Sequence, residues 1–138
     1  MPARRRPSTT PSASAKYSRM TSKNPSPGPA TVVCNYRVKK GSEGEFEKLL
    51  ARHWPTLDKL GLVTAEPSTI HRGSDETGAT FYLEIFTWKD GSTPQRAHEM
   101  PEVMAVWEPM GRCTQARGGR PPMEFSSVER VKIEFAKV

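Results

Sequence analysis

Two polar side chains are the strongest candidates for chemistry in this sequence. An imidazole ordinarily titrates near neutrality, so His98 can act as a general base. It can instead be a surface residue at the start of a helix, packed beside Pro101. Asn35 can bond a substrate oxygen, or it can satisfy a bulge or an interface partner. A catalytic role and a structural role are therefore open for both residues.

Three aromatic residues are candidates for the walls of a substrate pocket: Tyr82, Trp88 and Trp107. The two tryptophans can equally be core residues or dimer contacts, because large aromatic side chains dominate both kinds of packing. Glu84 follows Tyr82 by two residues, and the two are expected to form a polar pair inside the fold, with Arg37 as a counter-ion. A position at the rim is the alternative, because a buried ion pair is costly unless it is fully satisfied.

The spacing of the remaining reactive residues excludes several other kinds of site. His53 and His71 have no companions at metal-ligand spacing, so no metal site is predicted. The glycines at 118–119 follow a predicted helix instead of opening one, which argues against a phosphate-binding loop. The serines at 126–127 lack the pattern of a nucleophile elbow. No cofactor is therefore expected.

The chain has 138 residues, which is within the usual size of one domain, and a net charge of +6. Residues 1–30 contain six basic residues and no acidic residue, so residues 31–138 carry no net charge. A basic excess predicts nucleic-acid binding when it lies on the folded part. Nucleic acid is thus not the expected partner, although binding through the basic tail stays open. No apolar run is long enough to cross a membrane.

Residues 1–30 form a tail that is rich in proline, serine and threonine. They hold six of the thirteen prolines and few large apolar side chains, so they cannot bury enough surface to offset the entropy of ordering. We expect this tail to be disordered. Its arginine-rich, acid-free composition also resembles an organelle transit peptide, and Met20 is an alternative start. Residues 31–138 are expected to form one domain.

The two cysteines, Cys34 and Cys113, cannot form a disulfide framework. Neither has a partner at CxxC or zinc-ligand spacing. This usage fits a reducing compartment, so we expect the protein to be cytoplasmic. Each cysteine is expected to be a small, buried, apolar residue.

Hydrophobic periodicity predicts four strands and two helices. The first helix begins at Ser42, which is expected to form a capping box with Glu45, and Pro55 is expected to kink or shorten it. The second helix is expected to begin as a short helix at Thr93 and to restart at Pro101. Pro67 predicts an edge strand or a bulge for the second strand. The predicted strands cover residues 30–39, 62–72, 79–88 and 124–138.

The order strand–helix–strand occurs twice, which predicts the ferredoxin-like split βαβ fold of the α+β class. In this fold an antiparallel four-stranded sheet carries both helices on one face. The third strand has large apolar side chains on both sides, and leaving three aromatic residues in water forfeits roughly 1.5–3 kcal/mol each. We expect a second copy, a ligand or both to cover the bare face, and a homodimer is the strongest inference. The aromatic side consists of Tyr82, Phe86 and Trp88, and the other side of Phe81, Leu83 and Ile85.

Residues 97–110 (AHEMPEVMAVWEPM), preceded by FYLEIFTWK at 81–89, resemble the antibiotic biosynthesis monooxygenase-like family of dimeric α/β barrels. The opening VVCNYRVKKG at 32–41, followed by a capped helix, is similar as well. The resemblance spans about residues 31–136. It implies a homodimeric barrel with a pocket between the helices and the sheet.

Some members of this family oxidise quinol or polyphenol substrates with molecular oxygen alone. The resemblance therefore implies a cofactor-independent monooxygenase for a small aromatic or quinol-type substrate, whose electron-rich anion reduces oxygen. The protein would supply an apolar pocket and donors that stabilise the phenolate and the peroxy intermediate. The resemblance places Asn35 near a pocket asparagine, although Cys34 can occupy the same slot. The other pocket candidates are His98, Tyr82, Trp88 and Trp107.

The haem-degrading branch of the family keeps an asparagine, a tryptophan and a haem-ligating histidine. Here Ala97 or His98 falls near the tryptophan position and Trp107 near the histidine position, so the triad is not reproduced and haem is not expected. The alternative function is a non-catalytic dimeric barrel that binds a small apolar molecule or has a structural or stress-related role. The resemblance does not choose between these functions, because one fold supports many.

Overall fold

A computed structural model describes residues 27–138 of the chain. The predicted disordered tail lies almost entirely outside these residues. The described part contains four strands and three helices. The longest helix is followed in the chain by a strand that forms one edge of the sheet. In chain order the elements are β1 (Ala30–Arg37), α1 (Glu43–Lys59), β2 (Thr69–Ser74), β3 (Thr80–Trp88), α2 (Thr93–Ala97), α3 (Pro101–Arg112) and β4 (Met123–Val128).

The four strands form one antiparallel sheet in the order β2-β3-β1-β4. The central strand β1 places Tyr36 opposite Tyr82 of β3 on one side and opposite Met123 of β4 on the other. Helices α1 and α3 pack against each other and against the same face of the sheet. This arrangement confirms the predicted ferredoxin-like split βαβ fold.

Helix α1 is a single helix that runs through Pro55. Its buried stripe includes Phe46, Leu50 and Leu57, whereas Pro55 faces solvent. Packing of this stripe on the sheet holds the helix together although proline removes one backbone donor. The predicted capping box is wrong: the Ser42 side chain makes no capping hydrogen bond.

Strand β2 is an edge strand, as Pro67 predicted, but it begins at Thr69, later than the periodicity indicated. The segment before it contributes a single bridge between Val63 and Trp88. Within β2, Gly73 lies under the ring of its neighbour Phe81, and a Cβ atom at this position would lie 2.7 Å from Cζ of that ring. The absence of a side chain at Gly73 therefore allows Phe81 to pack across the edge strand.

The last strand is shorter than predicted. It ends at Val128, which pairs with Thr31, and β1 begins only one residue before Thr31. Residues 129–138 belong to no helix or strand, and they have no partner strand within residues 27–138. We call this segment the C-terminal arm. Its apolar residues Val131, Ile133 and Phe135 are exposed.

The face of the sheet without helices has an apolar centre, but the residues of this centre are not the ones predicted. The aromatic side of β3, including Tyr82 and Trp88, packs beneath the helices. The side chains of Phe81, Leu83 and Ile85 lie on the opposite side and are half-buried. Large side chains pack best where both layers can cover them, so the aromatic residues take the helix side. We call the other side the open face.

Arg117 joins the segment after α3 to the turn between β2 and β3. Its guanidinium donates to the carboxylate of Asp75 at 2.7 Å, to the carbonyl oxygen of Val38 at 2.7 Å and to that of Thr80. Hydrogen bonds from the Thr77 hydroxyl and from Arg117 hold the pKa of Asp75 well below its usual range. The carboxylate of Asp75 is therefore charged wherever the domain is folded near neutral pH.

Replacing this guanidinium should weaken the fold. We expect Arg117→Met to lower the free energy of unfolding by about 1–3 kcal/mol, because two backbone carbonyls lose a charged donor. The lowered pKa of Asp75 means that its contribution is present above its unfolded pKa of about 3.9 and is lost as the pH falls further. Urea titrations at pH 7 and below pH 4 measure both effects. Arg120→Met is the matched control, because the Arg120 side chain is 60% exposed; equal losses in the two variants would contradict the assignment.

Candidate functional site

Four buried polar side chains form a chain of hydrogen bonds between the sheet and the helices. The hydroxyl of Tyr36 donates to Oε1 of Glu84 at 2.7 Å, and Nδ1 of His53 lies 2.9 Å from the same oxygen. Nε1 of Trp107 donates to Nε2 of His53 at 2.9 Å. All four side chains are buried, and they come from β1, β3, α1 and α3. We call this set the buried relay.

The partners of His53 determine where its ring proton lies. An indole N–H can only donate, so Nε2 of His53 accepts from Trp107. The proton of the neutral ring is therefore on Nδ1 and points at Glu84. Two donors on one oxygen suit a carboxylate anion held away from water.

The second carboxylate oxygen of Glu84 does not take part in the buried relay. Its Oε2 atom is buried and has no hydrogen-bond partner among residues 27–138. A buried acceptor without a donor carries a desolvation penalty of about 1–3 kcal/mol, so a donor that reaches Oε2 would bind there favourably. A hydroxyl group is a donor of the right kind.

Cys34 lies next to the buried relay on the helix side of β1. Burial raises the pKa of the Cys34 thiol well above its usual value, and the negative charge of Glu84 adds to the increase. The thiol is therefore protonated at neutral pH and is a poor nucleophile. This agrees with its predicted role as a small buried residue.

A groove of about 440 Å³ runs between α1 and the edge strand β2. Ile70 forms part of its wall and is the register partner of Glu84, so the carboxylate lies directly inward from this wall. Leu50 lines the groove one helical turn before His53. The groove thus borders residues that neighbour His53 and Glu84, although neither of these two side chains lines it. Its other lining residues are Glu47, Ala51, Arg72 and Tyr82.

The rim of this groove is polar. The hydroxyl of Tyr82 donates to the Glu47 carboxylate at 2.5 Å, and Arg72 donates to the same oxygen at 3.0 Å. Burial and the hydrogen bond to Glu47 raise the pKa of Tyr82 to about 12. Tyr82, a predicted pocket residue, therefore lines the groove as a neutral phenol.

The other aromatic candidates lie beside the buried relay. Trp107 is part of it, and Trp88 meets Trp107 edge to face with ring centroids 6.3 Å apart. Nε1 of Trp88 is buried and has no hydrogen-bond partner in the described part of the chain. The ring of His98 lies 5.0 Å from that of Trp107, and Nδ1 of His98 donates to the Pro94 carbonyl at 2.9 Å.

Asn35 is not brought together with these residues. It lies on the open face, in a depression of about 420 Å³ that Arg37 and Arg117 also line. Arg37 pairs with Glu124 at 2.6 Å, so its predicted role as a counter-ion to Glu84 is wrong. The reason is the alternation of the strand, because Arg37 and Tyr36 point to opposite faces. Asn35 as a catalytic residue remains a prediction.

Sequence reasoning missed the pairing of His53 with Glu84. A signal for it exists, because His53 continues the buried stripe of α1 and Glu84 lies between two buried aromatic residues of β3. Two ionisable residues on facing buried surfaces are expected to pair. Within residues 27–138, no group of three or more His, Cys, Asp or Glu side chains is arranged to hold a metal ion. No helix in the same range is long and apolar enough to cross a membrane.

The fold has known counterparts. No protein-family model matches the chain, and no curated protein sequence matches it. SnoaB of Streptomyces nogalater, a cofactor-independent oxygenase, is similar in structure with a TM-score of 0.53 and 17% identity, covering 76% of this chain and 95% of SnoaB. Rv0793 of Mycobacterium tuberculosis matches with a TM-score of 0.54 and 8% identity over 77% of this chain and 98% of its own. A hypothetical protein of Arabidopsis thaliana matches with a TM-score of 0.52 and 12% identity, over 82% and 97%.

These identities establish the fold alone. The chain is a ferredoxin-like α+β domain, and its likeness to SnoaB supports the resemblance to antibiotic biosynthesis monooxygenase-like proteins at the level of the fold.

Removing one hydroxyl from the buried relay should lower the stability of the fold more than removing one from the rim of the α1–β2 groove. We expect Tyr36→Phe to lower the free energy of unfolding by about 1–3 kcal/mol, because buried Glu84 loses a donor that water cannot replace. Tyr82→Phe is the matched control, since water can reach its partner Glu47, whose side chain is 48% exposed. Chemical denaturation of both variants gives the comparison. A loss that is no greater for Tyr36→Phe would show that Glu84 does not depend on this bond.

Proposed function

We propose that this protein is a cofactor-independent oxygenase that acts on a small aromatic or quinol-type substrate. The observation that carries the proposal is the buried, unpartnered Oε2 atom of Glu84, a residue whose register partner Ile70 lines the α1–β2 groove. The likeness of the fold to SnoaB, described as a cofactor-independent oxygenase, agrees with it.

A substrate of this class would enter by the α1–β2 groove. The side chain of Ile70, which is 42% exposed, turns aside so that a phenolic hydroxyl can donate to Oε2 of Glu84. The surrounding wall is apolar, as a planar ring requires, and Tyr82 and Arg72 offer donors at the rim. Such a combination of apolar walls and few polar groups is typical of small-molecule sites.

In the first step Glu84 accepts the hydroxyl proton and the substrate becomes an electron-rich anion. The anion supplies the electrons that reduce molecular oxygen, and a carbon–oxygen bond forms. When the oxygen–oxygen bond breaks, one oxygen atom stays on the carbon and the other leaves as water. A hydroquinone provides all four electrons: two when it becomes a quinone and two when its ring C–H becomes C–OH.

The other members of the buried relay position the base. Tyr36 and His53 bind Oε1 of Glu84, so that Oε2 is the oxygen that meets the substrate. Trp107 fixes the ring of His53 in the orientation that this bond needs.

The functional unit is proposed to be a homodimer that pairs through the open face. Val33, Phe81, Leu83 and Ile85 give this face an apolar centre whose side chains are only half-buried in one chain. A second sheet packed on this centre would remove it from water, which is favourable by about 25 cal/mol for each Å² of apolar surface. The bound small molecule and the second copy are the expected partners.

A non-catalytic barrel that binds a small apolar molecule is the second candidate. It is favoured by the α1–β2 groove, which can hold a small molecule although Glu84 does not line it, while the space between helices and sheet is filled by fully buried large side chains. No substrate fits there unless side chains move. The residues that fill this space include Trp88, Trp107, Tyr36, Tyr82 and Phe46.

Oxygen uptake by metal-stripped protein, measured with a panel of hydroquinones and polyphenols, tests the proposal. We expect uptake by the native protein and a loss of about 10²–10⁴-fold in kcat for Glu84→Gln, since an amide cannot accept the proton. Glu102→Gln, an exposed change at the start of α3, is the matched control and should not alter kcat. Unfolding curves of both variants show whether the fold is retained.

Two other results would overturn parts of the proposal. Loss of uptake in Asn35→Ala or His98→Ala, with Glu84→Gln unaffected, would move the reaction to the residues that the resemblance implies. No uptake with any substrate, together with quenching of tryptophan fluorescence by the same compounds, would favour the binding protein.

A further inference from the structure

We propose that the depression beside Arg37 and Arg117 binds a small organic carboxylate. The depression has a volume of about 420 Å³ and lies at one end of the open face, between the β2–β3 turn and the turn at residues 117–120. We call it the arginine depression. No member of the buried relay lines it, so this binding site goes beyond the proposed oxygenase. The lining includes Asn35, Arg37, Phe81, Arg117 and Arg120, together with residues 74–77.

The arginine depression has more positive charge than its ion pairs neutralise. Arg117 pairs with Asp75 at 2.7 Å. Arg37 and Arg120 share a single oxygen of Glu124, at 2.6 and 3.5 Å. Three guanidiniums are thus paired with two carboxylates, which leaves one positive charge in excess among these side chains.

This excess is present at neutral pH. The hydrogen bond from Arg37 lowers the pKa of Glu124, so that carboxylate is ionised, as Asp75 is. The remaining acidic residue of the lining, Glu76, is exposed, so water and salt screen its charge. A ligand with a single negative charge matches the excess, whereas a phosphate dianion would exceed it.

Two of the guanidiniums are nearly buried and still have unused donors. The side chains of Arg37 and Arg117 are only 9% and 11% exposed. A guanidinium has five N–H groups, and the hydrogen bonds within residues 27–138 use two of them in Arg37 and three in Arg117. Shielded donors without an acceptor are unfavourable. An oxyanion in the depression would accept several of them in charge-assisted hydrogen bonds.

The sheet contributes an amide and an aromatic ring to the same space. Oδ1 of Asn35 is buried and has no hydrogen-bond partner in the described part of the chain, so this amide has unused hydrogen-bonding capacity. Turning the amide over exchanges its oxygen and nitrogen, after which it can donate to a bound carboxylate. Phe81 supplies an apolar surface and is half-buried. The ligand is therefore expected to combine a carboxylate with an apolar body, of which benzoate is a simple example.

The donors are held in place before a ligand binds. Arg117 donates to the carbonyl oxygens of Val38 and Thr80, and Arg37 donates to that of Pro121. The two guanidiniums therefore have little freedom to lose. Fixed donors reduce the entropy that binding costs, which favours a small ligand with few contacts.

Titration of the isotope-labelled full-length chain with benzoate, followed by NMR at constant ionic strength, tests the proposal. We expect saturable shifts of the Asn35 side-chain amide, of Nε–H of Arg117 and of the backbone amides at residues 74–77. Benzamide has the same ring without the charge, and inorganic phosphate has the charge without the ring. Both should bind at least about tenfold more weakly than benzoate.

Substitutions separate the geometry of the site from its charge. Arg37→Lys keeps the charge but loses the planar fork that binds a carboxylate through two N–H groups, so we expect about tenfold weaker binding of benzoate. Arg120→Met removes a side chain that is 60% exposed and should weaken binding about three- to fivefold. Arg96→Met, an exposed change on α2, is the matched control and should leave the affinity within about twofold. Urea unfolding of each variant shows whether the fold is retained.

Several results would overturn the proposal. These are the absence of saturable shifts with benzoate, equal affinities in Arg120→Met and Arg96→Met, and shifts confined to Arg72 and Tyr82 at the α1–β2 groove. Tighter binding of phosphate than of benzoate would overturn the choice of a carboxylate. None of these measurements uses oxygen uptake. Binding here without uptake would keep the site and refute the oxygenase, whereas uptake without these shifts would do the reverse.

Discussion

A buried carboxylate constrains the whole domain. Glu84 lies in the middle of the central sheet with 0% of its surface exposed, and a charge in that position must be met by donors from the layers around it. Those donors come from β1 and α1, and a further bond joins α1 to α3 through His53 and Trp107. The apolar core can tolerate small shifts of a helix, but hydrogen bonds of 2.7–2.9 Å cannot. The buried relay therefore determines the positions of α1 and α3 on the sheet.

Much of the fold could be predicted from the sequence because local patterns specify it. The alternation of Val32, Cys34 and Tyr36 gives β1 its buried face, and the order of elements gives the topology. The pattern was less informative where tertiary contacts decide the result. Pro55 does not break α1, because packing of the buried stripe outweighs one lost backbone bond. The alternation after Val128 continues without a partner strand in the described part of the chain, so the sequence alone could not locate the end of β4.

The candidate site was predicted only in part, for a related reason. Tyr82 and Trp107 were identified as large aromatic residues, and both lie at the groove or in the buried relay. His53 was not, since it is 31 residues from Glu84 along the chain and no spacing rule connects them. The pairing becomes visible only when the buried stripe of a helix is laid over the buried face of a strand. A polar residue in the buried stripe of a helix should therefore be compared with polar residues on the buried faces of the strands, because the two can pair without any sequence motif.

The contact between Gly73 and Phe81 couples the residue types that these two positions can accept during evolution. Because a Cβ atom on Gly73 would enter the ring of Phe81, neither residue can change freely while the other stays. A side chain at position 73 would push the ring away from β2 and alter the shape of the open face. Relatives that carry a larger residue at the first position should therefore carry a smaller one at the second. The two positions are expected to covary, and a family in which they do would share the surface described for this chain.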